Sequence, residues 1–246
     1  MHEDDVDPKR ARRLPRALLA YAVALAAFLL VPPVLHATVG PPGGFTLQEA
    51  VDLLTPVVVV PLAWWVLDCL GELPKVELVV FLVIAVVWVE GQAIHLATNA
   101  IGDVFVRGPA RDAFYATEAG DLDHWFDEFL SHWLWHLAWA ALSVLIVAIA
   151  ARRRDWPEGP GWLSALAGAI HGATFFFVTT EGETTLLGVP LSIVLLAWTG
   201  RETAAGSRNP AIRFFLVSSA VTLVAYVGWA ALNGWQLVEP CSVIGC

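Results

Sequence analysis

The sequence predicts an all-α, polytopic membrane protein, a bundle of about seven transmembrane helices forming one domain over 1–246. Three observations lead there. The 246 residues are 57% hydrophobic and 15% charged, with a mean hydropathy of +0.65; this is too apolar for a soluble domain, and no polar half exists to form a second one. Apolar runs near the roughly 20 residues that cross a bilayer recur between short polar breaks. The basic residues fall almost entirely in alternate breaks, as the bias of cytoplasmic loops toward Lys and Arg requires.

In chain order, 1–13 is a basic N-terminal segment and 14–36 the first span, with Lys9, Arg10, Arg12, Arg13 and Arg16 preceding or opening it. A signal peptide is the rival reading, but the apolar run has membrane length and His36-Ala37-Thr38-Val39-Gly40 is a poor cleavage site. Spans 49–70 and 76–101 follow, with Lys75 between them. The fourth, 121–151, ends at Arg152, Arg153 and Arg154, and the fifth covers 160–181. The sixth, 185–200, is short and contains Pro190, which implies a tilted, kinked or partial span. Arg201, Arg208 and Arg213 flank the start of the seventh, 210–235, and the bundle as a whole occupies 14–235.

Only Arg107 and Arg111 lie in the other loops, so the N-terminus is expected in the cytoplasm and the tail 236–246 outside. An odd number of spans gives the same orientation independently. The expected location is the cytoplasmic membrane of a prokaryote, with membrane lipid as the surrounding partner. Because acids and bases are segregated along the chain, the net charge of −9 says little about other partners. Cys241 and Cys246 lie in the tail, where a small disulfide loop persists; Cys69 sits at the end of the second span.

Ionisable groups are expensive in lipid and mark functional sites. Spans three to five hold His95, His132, His136 and His171 together with Glu90, Asp127, Glu128 and Glu181. At about 100° per residue, His124, Glu128, His132 and His136 form one i, i+4 stripe, flanked by Asp127 and Ser131. Gln92, His95 and Asn99 share a face of the third span, whereas Glu90 points about 140° from His95. With alternating spans, these groups meet in the outer half of the membrane. Glu90, near the midplane, must be paired, protonated or metal-linked. Asp121, Asp123 and His124 read as solvated residues at a helix entrance. Ser164, Gly168 and Gly172 form a small-residue stripe that admits a close neighbouring helix and brings His171 toward the other histidines. Trp133, Trp135 and Trp139 read as packing or cavity walls.

Neutral imidazoles with a carboxylate suit zinc or another divalent transition metal. The expected ligands are His132 and His136 with His95 or His171; Asn99, Asp127, Ser131 and Glu181 support them, and Glu90 or Glu128 serves as ligand or general base. The helix rises about 12 Å from 128 to 136, so one ion must borrow a ligand from another helix. The pattern departs from the His-Glu-x-x-His signature because Trp133 follows His132. Three ligands and an open position generate a nucleophile from water. The expectation is therefore a membrane-embedded, metal-dependent hydrolase, with zinc as a candidate metal, acting on a lipid or other amphiphile from the extracytoplasmic side. Two other classes use the same residue types: a noncovalent haem-binding electron-transfer protein with axial histidines, and a metal- or proton-coupled transporter. No phosphate-cradling glycine motif or nucleic-acid recognition pattern is present, so no nucleic acid is expected as a partner.

Overall fold

The computed structural model describes residues 8–32, 35, 37, 46–106, 111–153, 156 and 161–244, and no strand occurs among them. Arg107, Arg154 and Cys246 lie outside the described residues, as do the side chains of Lys9, Arg10 and Arg111. The helices are α1 (Pro8–Leu30), α2 (Leu47–Leu70), α3 (Lys75–Val106), α4 (Arg111–Tyr115), α5 (Glu118–His124), α6 (His132–Ala151), α7 (Gly161–Glu181), α8 (Thr185–Ala204), α9 (Pro210–Leu232) and α10 (Pro240–Ile244). A π-helical segment, Trp125–Ser131, joins α5 to α6.

Among the described residues, six helical stretches are long and apolar enough to cross a membrane: Arg12–Leu30, Leu47–Leu70, Lys75–Gly102, Glu118–Ala151, Gly161–Glu181 and Pro210–Leu232. Helix α8, the expected sixth span, is not one of them. Its 20 residues are diluted by Thr185, Gly188, Pro190, Ser192 and Thr199 and end in Arg201 and Glu202. The outward faces of the other helices are apolar. Val76, Val79, Val83 and Val86 on α3 and Val224, Val227 and Leu232 on α9 are all exposed, the inverse of a soluble protein and the pattern of an integral membrane one.

Local chemistry fixes the helix starts. Thr46 and Glu49 form a capping box in which the Glu49 N–H donates to Thr46 Oγ1 at 3.2 Å and the Glu49 carboxylate accepts from the Thr46 backbone. This starts α2 so that Asp52 lies about one and a half turns into the helix. Asn209 caps α9 through Ala211 N–H (3.0 Å), with Pro210 at the first helical position. The Asn209 amide also donates to the Arg153 carbonyl (3.1 Å), tying α9 to the end of α6.

Glycines set the closest helix crossings. A side chain at Gly168 or Gly172 would sit 2.4 Å from Phe214 O or 2.3 Å from Ser218 O, so the small-residue stripe of α7 seats against α9. A Cβ at Gly91 would lie 2.8 Å from Trp135 N and 2.9 Å from Ser131 O, so α3 lies directly on the start of α6. Trp88 and Trp139 pack in the fully buried core between them.

The bundle has two chemically different ends. Arg152 pairs with Glu77 and Arg153 donates to Glu72 O at one, where Arg12, Arg13, Lys75, Arg201, Arg208 and Arg213 also cluster by helix polarity. The other end, formed by the close of α1, α3 and α7 and the start of α2 and the π segment, is acidic and holds a cavity.

Candidate functional site

The cavity has a volume of about 640 Å³. Its walls come from several elements at the acidic end: Leu29 at the close of α1 and Pro32 after it, Gln48 and Asp52 on α2, Gln92, His95 and Asn99 on α3, His124 at the end of α5, Asp127 and Glu128 on the π segment, His132 and Trp135 on α6, Phe177 and Glu181 on α7, and Glu183, Glu239 and Cys241 beyond. Trp135 forms its inner wall, backed by Trp88 and Trp139 at ring separations of 6.0 and 6.3 Å.

His95 Nδ1 and Asp127 Oδ1 are 2.8 Å apart, and the same carboxylate oxygen accepts from Thr98 Oγ1 at 3.0 Å. An ionised carboxylate only accepts, so Nδ1 carries the proton and Nε2 the lone pair; Asn99 Nδ2 donates to that Nε2 at 3.0 Å. His132 Nδ1 donates to the Glu128 backbone carbonyl at 2.9 Å, which fixes the same tautomer. Its ring centroid stands 5.1 Å from that of His95. Behind it, His136 Nδ1 lies 2.6 Å from Thr184 Oγ1, a hydroxyl that also stands 3.4 Å from Thr179 O. His136 Nε2 is buried with no hydrogen-bond partner. The His132 and His136 rings lie nearly parallel with centroids 5.7 Å apart, and Gly182 packs on both: a Cβ there would be 2.7 Å from His136 Cε1 and 3.2 Å from His132 Cγ.

The π segment explains why Asp127, not Glu128, meets His95. Its i→i+5 bonding departs from the 100° step of an α-helix, so the stripe read through 124, 128, 132 and 136 is broken upstream of His132. The Glu128 side chain is 47% exposed, with Oε2 3.7 Å from His132 Nδ1. Ser131, fully buried, donates its hydroxyl to the Asp127 carbonyl and steadies this turn.

The structure thus gathers His95, Asn99, Asp127, Glu128, His132 and Glu181 around one cavity and places His136 immediately behind it. It does not bring His171 there. Trp139 Nε1 donates to His171 Nε2 at 2.9 Å, and His171 Nδ1 donates to Ser218 Oγ at 2.8 Å. Both ring nitrogens are occupied among Tyr21, Phe175, Phe214 and Phe215, because the glycine stripe turns this face of α7 to α9. Glu90 does not reach the cavity either. It is exposed on the outer face of α3. Of the residues read as a solvated entrance, Asp121 and His124 are exposed, whereas Asp123 is buried.

Sequence reasoning missed Gln48 and Asp52. Their i, i+4 spacing at the start of a span was the available signal, obscured by the neighbouring capping box. It also missed Glu183 and Glu239. The turn after α7 carries Glu183 at φ 51°, and the Cys241 N–H donates to Glu181 Oε2 at 2.9 Å, holding the C-terminal segment at the rim. Burial, with Glu181 and Glu183 as neighbours, pushes the Glu239 carboxyl above its ordinary range. Cys241 is disulfide-bonded.

Among the described residues, no three His, Cys, Asp or Glu side chains already converge on a single metal position. His95 Nε2 is engaged by Asn99 Nδ2, and His132 Nε2 has no hydrogen-bond partner among the described residues. No protein-family model matches the chain, and comparison with curated proteins and with solved structures returns no match.

Proposed function

We propose that the cavity is the active centre of a membrane-embedded, metal-dependent hydrolase acting on an amphiphile. The observation that carries this reading is the shared tautomer of His95 and His132. Each has its Nδ1 proton committed to an oxygen acceptor, leaving Nε2 as a lone-pair donor, which is how histidines are prepared for a metal. His95 and His132 hold the ion in this proposal. Asn99 releases His95 Nε2, and the half-exposed Glu128 side chain turns in as third donor. A divalent metal so held lowers the pKa of a water molecule and polarises an ester or amide carbonyl. Hydrolysis then adds the water oxygen to the carbonyl carbon, breaks the bond to the leaving oxygen or nitrogen, and delivers a proton to that leaving group.

The Trp88–Trp135–Trp139 floor supports a closed reaction chamber over a conduit for ions. The carboxylate-rich walls are unsuited to an apolar haem macrocycle. For the membrane frame we propose seven spans, with α8 as the sixth in chain order, tilted at Pro190. The basic end lies in the cytoplasm of a prokaryotic cell and the cavity faces the extracytoplasmic leaflet, in keeping with the distribution of Lys and Arg.

Reconstituted protein is to be tested against a panel of fluorogenic ester and amide lipids, with and without added zinc or manganese. The reading expects turnover that chelation stops and that His132→Ala removes. Absence of turnover across the panel with each metal, or turnover indifferent to both chelation and His132→Ala, overturns it.

A further inference from the structure

The cavity carries a charge imbalance that metal binding leaves unused. Six carboxylates line it (Asp52, Asp127, Glu128, Glu181, Glu183 and Glu239), and no Lys or Arg does among the described residues. Asp127 and Glu181 have donors of their own, His95 with Thr98 and the Cys241 N–H. Asp52 has none. It is 6% exposed, borders the cavity, and has no hydrogen-bond or salt-bridge partner among the described residues, although it lies within electrostatic reach of His95. Gln92, 3% exposed on the same cavity wall, has an Oε1 atom with no partner, enclosed behind the wall unless its amide turns toward the chamber. A buried acceptor without a donor is costly. Asp52, open to the chamber with no donor of its own, and Gln92 behind the same wall call for a ligand that is donor-only and positively charged.

We propose that the amphiphile has a headgroup bearing a protonated primary amine, received by Asp52 and Gln92 and drawn in past Glu183 and Glu239 at the rim. A primary ammonium offers three donors and no acceptor, so it answers both unpartnered acceptors. A phosphate-bearing headgroup would bring its charge against the six carboxylates of the wall and is disfavoured. Because Asp52 and His95 are electrostatic neighbours, the ammonium and the reacting bond belong to one headgroup, while the apolar portion lies toward Leu29 and Phe177. The inference rests on the cavity being a substrate chamber, and it is separable from the metal.

The test is isothermal titration of dodecylamine, dodecyl phosphate and ethanolamine into the full chain in nonionic micelles, against empty micelles, with and without EDTA. Saturable binding of dodecylamine is expected, with the other two at least about tenfold weaker, and Asp52→Asn weakening dodecylamine by about tenfold. Since Asp52 has no partner to lose, Asp52→Asn retains its thermal midpoint; should it fail to fold, Gln92→Leu is expected to show the same selective loss. Dodecyl phosphate binding as tightly as dodecylamine overturns the proposal. So does an Asp52→Asn affinity equal to wild type, or ethanolamine binding as tightly as dodecylamine. Amine binding that persists in EDTA, in protein that takes up no metal, overturns the metal reading and leaves this one standing. Metal uptake without amine binding does the reverse.

Discussion

Asp127→Asn isolates the role of the residue behind His95. In the wild type, Asp127 Oδ1 accepts from His95 Nδ1 at 2.8 Å and from Thr98 Oγ1 at 3.0 Å, and both members of the pair are mostly sheltered, at 22% and 16% exposure. The amide is isosteric, so packing is retained. It nevertheless gives up the charge that orients the imidazole and raises the basicity of Nε2, and its NH₂ can face Nδ1 and select the opposite tautomer. Partners of this type typically account for about 10–100-fold in metal affinity, or about 1.4–2.7 kcal/mol. The expected result is that shift in zinc dissociation constant, measured by competition with a chromophoric chelator in detergent, with the thermal midpoint of the metal-free protein little changed. Metal affinity within about threefold of wild type would refute the argument that Asp127 prepares His95 as a ligand.

His171→Phe orphans Trp139 Nε1 and Ser218 Oγ; a loss of about 1–3 kcal/mol of stability per unsatisfied group is expected, read as a lowered thermal midpoint, while zinc affinity stays at its wild-type value. Glu90→Leu, on the outer face of α3, is expected to change zinc affinity and turnover by less than about twofold; a larger loss would show that this carboxylate reaches the site after all. The Glu239 carboxyl is held above its ordinary range, so the docked C-terminal segment binds a proton more tightly than the released one. Docking is therefore strongest below the ordinary glutamate range and weakens as pH rises through the raised value. Hydrogen exchange over 236–244 should speed up across that window, and Glu239→Gln should flatten the response.

The helical frame was legible because hydropathy and length act along the chain, independently of packing. Histidine depth was legible for the same reason, and it placed His95, His132 and His136 together. Rotation about a helix axis was not. His171 and Glu90 have suitable depth, but the Gly168–Gly172 contact with α9 turns one into a tryptophan-lined core, and the packing of Gly91 on α6 turns the other outward. Nor does the Trp125–Ser131 sequence announce an i→i+5 turn, so an ideal helix chose Glu128 where the fold presents Asp127. Asp52 was hidden differently: it enters the site only because the end of α1 and the start of α2 close one side of the cavity, a pairing of elements that span-by-span reading does not supply.

The central claim is that His95 and His132 hold a divalent metal. Elemental analysis of chain purified without chelator tests it most directly. The account predicts about one metal per chain in the wild type and in His171→Phe, and its loss in both His95→Ala and His132→Ala. Metal-free wild-type protein that takes up none on addition, or full occupancy in either alanine variant, would contradict it.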